Sequence, residues 1–403
     1  MTSTSRPESP SQAQFDHNAP AFIADPYPVY DDLREHDPVH FSENYGGYYV
    51  LTRYDDVRDA LLDWKLFSSA IPGVTSIPSS VKRDFQEIPL EVDPPEHTPY
   101  RQLISRFFTR NAIRELEPGF REIARELLGA IVAKGHGDMV QEFALPYVSR
   151  VLTYFLQVPR EDSNRWVRWA QDIFHGRLTD RARADRASAE MIAYVDTLVE
   201  QRRREPKDDL FSVLATSRFN GEPLGPAQLH GYGVLLLNAG QETSVNGIGN
   251  SVWYLAEHDT DRRRLIDNPD LLPDAVEEFL RFMSPIQLLG RTSTGETTLH
   301  DSVIPADSTV AMCYGAANRD PRRFTDADRC VIDRRPNPHL AFGAGPHTCL
   351  GAHLARAEIR VALGEIFALM PDYRLDPDGS LEYTPHGDLR GFWKLPVTLR
   401  PSA

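Results

Sequence analysis

The ten residues from Phe342 to Gly351 constrain the fold of this chain more than any other stretch. Their sequence is Phe-Gly-Ala-Gly-Pro-His-Thr-Cys-Leu-Gly, and it places Cys349 in a glycine-rich loop directly before an amphipathic helical pattern. Gly343 and Gly345 permit positive φ and a close approach to a flat ligand, where a Cβ atom would collide. The free N–H groups and positive dipole end of the following helix favour an ionised sulfur. The sequence therefore predicts a loop that holds a thiolate.

Such a thiolate can ligate iron and push electron density onto it, which favours O–O bond cleavage. The pattern Phe-x-x-Gly-x-x-x-Cys-x-Gly is formed here by Phe342, Gly345, Cys349 and Gly351. It resembles the cysteine-ligand signature of the cytochrome P-450 monooxygenases. The resemblance extends from about residue 25 to residue 401 and is to the soluble bacterial members of that family.

Two other interpretations of the loop remain open on its residues alone. Cys349 could be a buried free cysteine in a glycine-rich turn. It could instead join His347 and His353 in a zinc site. Such a site would need a fourth ligand and a second cysteine nearby, and Cys330 lies at an unrelated spacing.

The chain organisation predicts one large domain of the mainly α class. Residues 1–18 are rich in Ser, Pro and Gln and are expected to form a disordered tail, followed by a single domain over 19–403 without a composition break or repeat. Helical periodicity dominates residues 111–280, and short β-like runs occur at 290–310 and 381–399. We expect a small β subdomain beside the helices, and the resemblance implies the cytochrome P-450 fold, with haem buried between two central helices.

Local patterns predict individual elements. Residues 39–41 and 48–52 alternate around Asn44-Tyr45-Gly46-Gly47 and predict a hairpin, and residues 55–62 predict a helix. Asp93 before Pro94 predicts a capped helix start. Residues 226–258 predict one long apolar helix, and residues 68–92 predict a loop that acts as a lid or binding segment.

Composition restricts the partners and the compartment. The net charge is −14 and the sequence pI is near 5.4, which argues against nucleic-acid binding. Three scattered cysteines do not make a disulfide framework, and no apolar stretch is long enough to form a membrane anchor. The expected location is the cytoplasm.

A polar cluster interrupts the predicted helix over residues 226–258. Gly240 weakens the helix, and a Thr243 hydroxyl bonded back to a carbonyl can open a bulge with room for water. The run resembles the family's Ala/Gly-Gly-x-Asp/Glu-Thr signature, which implies that Thr243 holds a proton-donating water and Glu242 feeds it protons. On the residues alone, Glu242 could equally be solvated and Thr243 could merely cap a kink.

Other motifs gain their roles from the resemblance. Glu278 and Arg281, at i, i+3, match the family's Glu-x-x-Arg motif, and Arg334 corresponds to the third member of a buried ion network that holds the cysteine loop. The haem carboxylates are expected to meet His97, Arg101, Arg291 and His339. The expected contacts of haem b also include Cys349 as the axial iron ligand, Phe342, Gly343 and Ala239.

The resemblance also implies a substrate chamber on the haem face opposite the cysteine. Its expected wall residues are Leu236, Ala239, Ile286, Gln287, Leu288 and Phe392. Gln287 could orient a carbonyl or hydroxyl of the substrate, or it could satisfy backbone groups instead.

The sequence thus predicts a haem-thiolate monooxygenase that splits O2 and hydroxylates, demethylates or epoxidises a small, largely apolar organic molecule. The sequence shows no flavin- or iron–sulfur-binding segment. Electrons would therefore come from a ferredoxin or flavodoxin-type donor with its reductase. Five arginines form a local basic group: Arg106, Arg110, Arg114, Arg356 and Arg360. This group could dock the electron donor, or it could be a solvated helix face. The alternatives are a peroxide-driven or coupling haem-thiolate enzyme and a non-catalytic haem sensor.

Overall fold

The computed structural model describes residues 15–78 and 85–399, and its helices follow the apolar periodicity of the sequence. Residues 1–14 of the predicted tail and residues 79–84 of the predicted lid lie outside this range. The α-helices are α1 (Pro20–Ala24), α2 (Tyr27–His36), α3 (Tyr54–Leu62), α4 (His97–Ser105), α5 (Arg110–Lys134), α6 (Leu145–Phe155), α7 (Ser163–Thr179), α8 (Arg181–Arg204), α9 (Leu210–Thr216), α10 (Pro226–Ala239), α11 (Glu242–Glu257), α12 (Asp259–Asp267), α13 (Leu272–Met283), α14 (Tyr314–Ala317) and α15 (Ala352–Leu369).

The strands are short and lie beside the helices. They are β1 (Val39–Ser42), β2 (Tyr48–Leu51), β3 (Phe67–Ser68), β4 (His136–Asp138), β5 (Arg218–Phe219), β6 (Glu222–Pro223), β7 (Leu288–Ser293), β8 (Thr297–Leu299), β9 (Ser302–Ile304), β10 (Thr309–Cys313), β11 (Arg374–Leu375), β12 (Glu382–Tyr383), β13 (Phe392–Lys394) and β14 (Pro396–Thr398). The largest sheet has the order β1-β2-β10-β7-β3, and a second has the order β11-β14-β4. The predicted class, mainly α with a small β portion, is confirmed.

The predicted hairpin of β1 and β2 is present, and the β-like run at 381–399 contains a second one. β1 and β2 pair antiparallel with Val39 opposite Leu51, and β10 then pairs parallel to β2 and antiparallel to β7. In the tail, β12 pairs with β13, so Glu382 lies opposite Lys394. The first sheet therefore joins the start of the described chain to residues 288–313.

Helices α11 and α15 pack against each other in the largest buried cluster. Every residue of α11 from Ser244 to Val252 is buried, as expected for a helix with neighbours on all sides. A Cβ atom at Gly247 would lie 2.8 Å from Cδ1 of Ile359, so glycine allows the two helices to approach closely. This helix pair forms the frame on which the functional groups are placed.

The single helix predicted over residues 226–258 is interrupted in the structure. α10 ends at Ala239 and α11 begins at Glu242, with Gly240 and Gln241 between them. The Thr243 hydroxyl donates to the Ala239 carbonyl at 2.9 Å, the bond that the polar cluster predicts. The interruption opens the backbone beside Thr243.

Two other local expectations differ from the structure. Residues 15–18, assigned to the tail, are packed: Phe15 and His17 are buried, and His17 is bonded to the Tyr48 hydroxyl and the Ile77 carbonyl. Asp93 does not cap a helix, because α4 begins at His97 and the Asp93 carboxylate accepts hydrogen bonds from two serines instead. Across residues 15–78 and 85–399, each helix is too short or too polar to cross a bilayer.

Candidate functional site

A cavity of about 700 Å³ lies between the loop that carries Cys349 and the junction of α10 and α11. Phe342, Gly343 and Cys349 line it from the loop. Ala239 and Thr243 line it from the helix junction. The structure thus brings the two predicted chemical motifs to one cavity, although about a hundred residues separate them in sequence.

The cysteine loop has the backbone conformation that its glycines predict. Gly343 and Gly345 have φ values of 70° and 69°. A Cβ atom at Gly345 would lie 2.8 Å from the Leu61 carbonyl oxygen, so this position requires glycine. The Cys349 N–H donates to the Phe342 carbonyl at 2.8 Å, which closes the loop and turns the sulfur to the cavity.

The Cys349 side chain is accessible from the cavity, yet the protein around it raises the pKa of the thiol above its ordinary value, because these surroundings solvate the charged form poorly. The Gly351 N–H bond to the sulfur and the nearby Arg101 and Arg356 guanidiniums act in the opposite direction. The helix-terminus effect expected from the sequence is therefore present, but burial outweighs it in the protein alone. A coordinated metal ion would reverse this balance, since it deprotonates a thiol ligand.

The zinc interpretation of the loop gains no ligand set from the structure. Among residues 15–78 and 85–399, no group of three or more His, Cys, Asp or Glu side chains is placed to hold a metal ion. His347 and His353 therefore do not join Cys349 in such a site.

Buried cationic and imidazole groups line one part of the cavity. His97 is 3% exposed, and its Nε2 atom has no hydrogen-bond partner among the described residues. Arg291 is buried and donates to the carbonyl of the preceding residue, with no carboxylate partner in the described chain. Arg101 donates to the Thr348 carbonyl at 2.7 Å. These donors fit the carboxylate groups of a haem, which would supply the acceptors that the protein does not.

Burial, His347 and Arg101 together lower the pKa of His97 to about 4. At neutral pH this imidazole is therefore uncharged and offers one N–H group. A carboxylate beside it would favour its protonated form.

The structure separates His339 from the cavity and places His347 there instead. His339 Nε2 lies 3.1 Å from Glu277 Oε2, and the residue does not line the cavity. His347 does line it, with its ring centroid 4.5 Å from that of His97 and its Nε2 atom 3.1 Å from Ser69 Oγ. The sequence analysis considered His347 only as a zinc ligand, although its place two residues before Cys349 puts it in the loop that lines the cavity.

Thr243 and Glu242 both line the cavity at the start of α11. Glu242 is only 5% exposed. Since Thr243 donates its hydroxyl proton to Ala239, its oxygen lone pairs remain available to accept a hydrogen bond. The pair therefore offers an acceptor and a carboxyl group to the same space.

Half of the predicted substrate wall lines the cavity. Leu236, Ala239 and Ile286 are in the lining. Leu288 is not, because side chains alternate along β7 and those of Leu289 and Arg291 are the ones on the cavity side. The predicted segment reaches the cavity through Ile286 and Leu289, and Leu288 does not line it.

Gln287 and Phe392 also lie away from the cavity. The Gln287 amide donates to the Met283 and Ser284 carbonyls at 2.8 and 2.6 Å, and its oxygen accepts from the Tyr30 hydroxyl at 3.0 Å. Of its two predicted roles, Gln287 therefore has the second: it satisfies backbone hydrogen-bonding groups. Phe392 is buried in the core, where its ring packs against Trp253 and Tyr383.

Glu278, Arg281 and Arg334 come together in a buried network. Arg281 makes two bonds of 2.8 Å to the Glu278 carboxylate, and Arg334 Nε lies 3.1 Å from both of its oxygens. The Val331 N–H also donates to this carboxylate at 2.7 Å. The network fixes the segment that leads into the cysteine loop.

The basic group is partly neutralised. Arg106 pairs with Asp208, Arg356 with Glu277 and Arg360 with Glu117. Arg110 and Arg114 are exposed on α5 and have no acidic partner within the described residues.

Residues 139–380 match the family model described as Cytochrome P450. The chain belongs to the cytochrome P450 family. This P450 is similar to Cytochrome P450 130 of Mycobacterium tuberculosis, with 38% identity over 361 residues that cover 87% of this chain and 89% of that protein. It is also similar to the vitamin D(3) 25-hydroxylase of Pseudonocardia autotrophica, with 37% identity over 396 residues, or 96% of this chain and 97% of that protein.

Solved structures agree with this assignment. The P450 PksS of the Bacillus subtilis 168 bacillaene polyketide synthase superposes with a TM-score of 0.87 at 31% identity, covering 96% of this chain and 100% of that one. The cytochrome P450 fold predicted from the sequence is thereby confirmed. This P450 is an oxidoreductase, a haem-thiolate monooxygenase of the bacterial type, and its family uses a haem cofactor, small organic substrates and redox partners.

Proposed function

We propose that this P450 binds haem b through the Cys349 sulfur and uses O2 to hydroxylate, demethylate or epoxidise a small, largely apolar molecule. The observation that carries the proposal is that Cys349 and Thr243 border one cavity together with two arginines and two histidines, Arg101, Arg291, His97 and His347. The bound haem supplies O2 activation, and the protein supplies ligation, orientation and protons.

The residues that hold the cofactor follow from the cavity lining. The Cys349 sulfur would ligate the haem iron, since Cys349 lines the cavity. Hydrogen bonds to the haem carboxylates come from His97, Arg101, Arg291 and His347. The unpartnered Nε2 atom of His97 and the unpaired guanidinium of Arg291 support this assignment. Phe342, Gly343 and Ala239 contact the ring, two of them with little or no side chain to obstruct it.

Thr243 and Glu242 handle protons in this proposal. A water molecule donates to the Thr243 oxygen, whose own proton is engaged with Ala239. Glu242, buried at the cavity surface, transfers protons toward that water. The interrupted helix provides the space in which this water is held while bulk water stays out.

The chamber suits a molecule with a largely apolar body. Leu236, Ile286 and Leu289 line it, and its volume of about 700 Å³ falls within the ~300–1,000 Å³ of small-molecule sites. Two related proteins support a substrate of this kind. One is the vitamin D(3) 25-hydroxylase, and the other is a P450 from Bacillus megaterium whose solved structure is in complex with testosterone.

The electrons come from a ferredoxin or flavodoxin-type donor with its reductase. The exposed Arg110 and Arg114, without acidic partners in the described chain, offer positive charge to an acidic donor. Three free cysteines are typical of a reducing compartment, which supports a cytoplasmic location. Residues 19–403 act as one catalytic domain, and the pairing of β2 with β10 supports this unity.

Replacement of the thiolate tests the proposal. Reduced wild-type protein under carbon monoxide should show the long-wavelength absorption band of thiolate-ligated haem, and Cys349→Ala should lose it. Cys330→Ala is the matched control, because Cys330 lies outside the cavity lining, and it should keep the band. A Cys349→Ala spectrum identical to that of the wild type would contradict the proposal.

A further inference from the structure

Asn238 of α10 is a polar residue in an otherwise apolar part of the cavity wall. The end of α10 has the sequence Val-Leu-Leu-Leu-Asn-Ala over residues 234–239, in which Leu237 is buried in the core and the other five residues line the cavity. Asn238 belongs to the polar cluster that the sequence analysis singled out. The proposed function gives roles in that cluster to Ala239, Glu242 and Thr243 but none to Asn238.

The side-chain amide of Asn238 has no hydrogen-bond partner within residues 15–78 and 85–399. Only the backbone is engaged: the Gln241 N–H donates to the Asn238 carbonyl at 3.2 Å, and the Thr243 hydroxyl donates to the next carbonyl, that of Ala239. The side chain is half-buried. Its two N–H donors and one oxygen acceptor are therefore available to a molecule in the cavity.

The helices that pack against α10 near Asn238 offer apolar groups. A Cβ atom at Gly240 would lie 3.2 Å from Cδ2 of Leu152 in α6, and one at Gly233 would lie 2.4 Å from Cγ2 of Val195 in α8. The cavity lining from α6 and α7 is apolar and consists of Leu152, Phe155, Leu156 and Ile173. An amide in such a wall is unusual, because a polar group that is shielded from water without a partner costs free energy.

This cost depends on what occupies the cavity. A purely apolar molecule would exclude water from the Asn238 amide and leave its donors and acceptor unpaired. A molecule with an oxygen atom at that point would pair them. Sites that hydrogen-bond a substrate group discriminate strongly against analogues without that group, whereas apolar walls discriminate weakly.

We propose that Asn238 is a specificity-determining residue whose amide hydrogen-bonds a neutral hydroxyl or keto oxygen of the substrate. The N–H groups donate to a keto oxygen, and the amide oxygen accepts from a hydroxyl group. A neutral oxygen matches an uncharged amide, and the charged residues that α8 adds to the lining, Arg181 and Asp185, pair with each other. The substrates are therefore largely apolar molecules that already carry such an oxygen. This inference deepens the proposed function and rests on it.

Matched compounds test the hydrogen bond. The probes are decalin, decalone and decalol, and adamantane, adamantanone and adamantanol, titrated into the ferric holoenzyme while difference spectra follow loss of the iron's water ligand. The affinity for each ketone or alcohol, divided by that for its hydrocarbon, should fall about ten-fold in Asn238→Leu. Leucine has a similar size and a higher helix propensity, so α10 should be retained.

Leu235→Met is the matched control. Leu235 lies one helical turn before Asn238 and also lines the cavity, so this variant alters the shape of the same wall without removing a polar group. Its affinities for the two members of a pair should shift together, and their ratio should stay that of the wild type.

Product analysis tests whether the hydrogen bond also orients the substrate. Asn238 directly precedes Ala239, which contacts the haem ring in the proposed function, so an oxygen held at Asn238 limits which substrate carbons reach the iron. Decalone should give one main product with the wild type and a mixture with Asn238→Leu. The same product distribution from both proteins would contradict this orienting role.

The outcomes separate this inference from the proposed function. An affinity ratio in Asn238→Leu equal to that of the wild type, or a wild type that binds neither the ketones nor the alcohols, would overturn the inference alone, provided that the carbon monoxide band of thiolate-ligated haem is present. A wild type without that band would overturn the proposed function and this inference together.

Discussion

Glu278 and Arg281, three residues apart on α13, form an ion pair in which both side chains are 0% exposed and the guanidinium binds both carboxylate oxygens. Arg334 shares the same carboxylate, so one acid organises two guanidiniums beneath the segment that leads to Cys349. Removal of Arg281 takes two hydrogen bonds from the buried Glu278 carboxylate, and it also takes the guanidinium donors from the Asn318, Ala327 and Arg329 carbonyls.

Arg281→Ala should therefore destabilise the protein by about 3–5 kcal/mol. Urea unfolding followed by circular dichroism measures this loss. Arg335→Ala is the control, because its pair with Asp274 lies at the surface and its removal should leave the unfolding midpoint unchanged. Equal midpoints for the two variants would contradict a structural role for the buried network.

His347→Ala should release haem faster than the wild type. His347 lines the cavity beside His97, and a hydrogen bond to a charged carboxylate is worth about 1.5–3 kcal/mol, so the rate should rise by about ten-fold or more. Transfer of haem to apomyoglobin measures the rate.

His339→Ala is the matched variant for this comparison. His339 pairs with Glu277 outside the cavity lining, so its replacement should leave the rate of haem loss close to that of the wild type. Faster haem loss from His339→Ala than from His347→Ala would show that the cavity assignment is wrong.

Thr243→Ala should separate electron use from product formation. In the proposed function the Thr243 hydroxyl binds the proton-donating water, so without it product per electron should fall by about ten-fold while O2 consumption continues. Thr153→Ala is a close control, since its hydroxyl also bonds a helix carbonyl at 2.9 Å but does not line the cavity. Similar coupling in both variants would argue against a proton role for Thr243.

Glu277 should make the stability of this P450 sensitive to acid. Burial alone would raise the pKa of Glu277. The hydrogen bonds from Arg356 and His339 outweigh burial and hold this pKa at about 2, below its usual value of 4.5. The stabilisation is therefore fully present above pH 4.5 and is lost as the pH falls toward 2. Over that range the wild type should lose about 3 kcal/mol more than Glu277→Gln. Unfolding midpoints at a series of pH values measure the difference, and parallel curves would contradict it.

Motifs that are compact in sequence predicted their own geometry. The positive φ values of Gly343 and Gly345 and the bond from Thr243 to Ala239 depend on residues within one loop or one helical turn. The pairing of Glu278 with Arg281 is equally local. Such contacts are set by helix and turn geometry, which sequence spacing specifies.

Contacts between distant segments were the ones that the sequence analysis misplaced. Which of His339 and His347 lines the cavity depends on Glu277. This residue of α13 pairs with His339 and holds it outside the cavity lining. Whether Leu288 or Leu289 lines the cavity depends on which face of β7 each side chain occupies. The pairing of β7 with β10 sets that alternation. Burial of residues 15–18 depends on partners as far away as Ile77. No spacing rule within a single segment contains this information.

The alternation along β7 has a consequence for redesign. Leu289 and Arg291 lie on the same side of one strand that is hydrogen-bonded to neighbours along both edges, so a proposed substrate contact and a proposed haem-carboxylate donor share one support. A smaller side chain at 289 would enlarge the chamber for bulkier molecules while the anchor keeps its place. Insertion of a single residue between the two would turn the guanidinium to the opposite face of β7, away from the cavity, and remove the proposed contact with the cofactor.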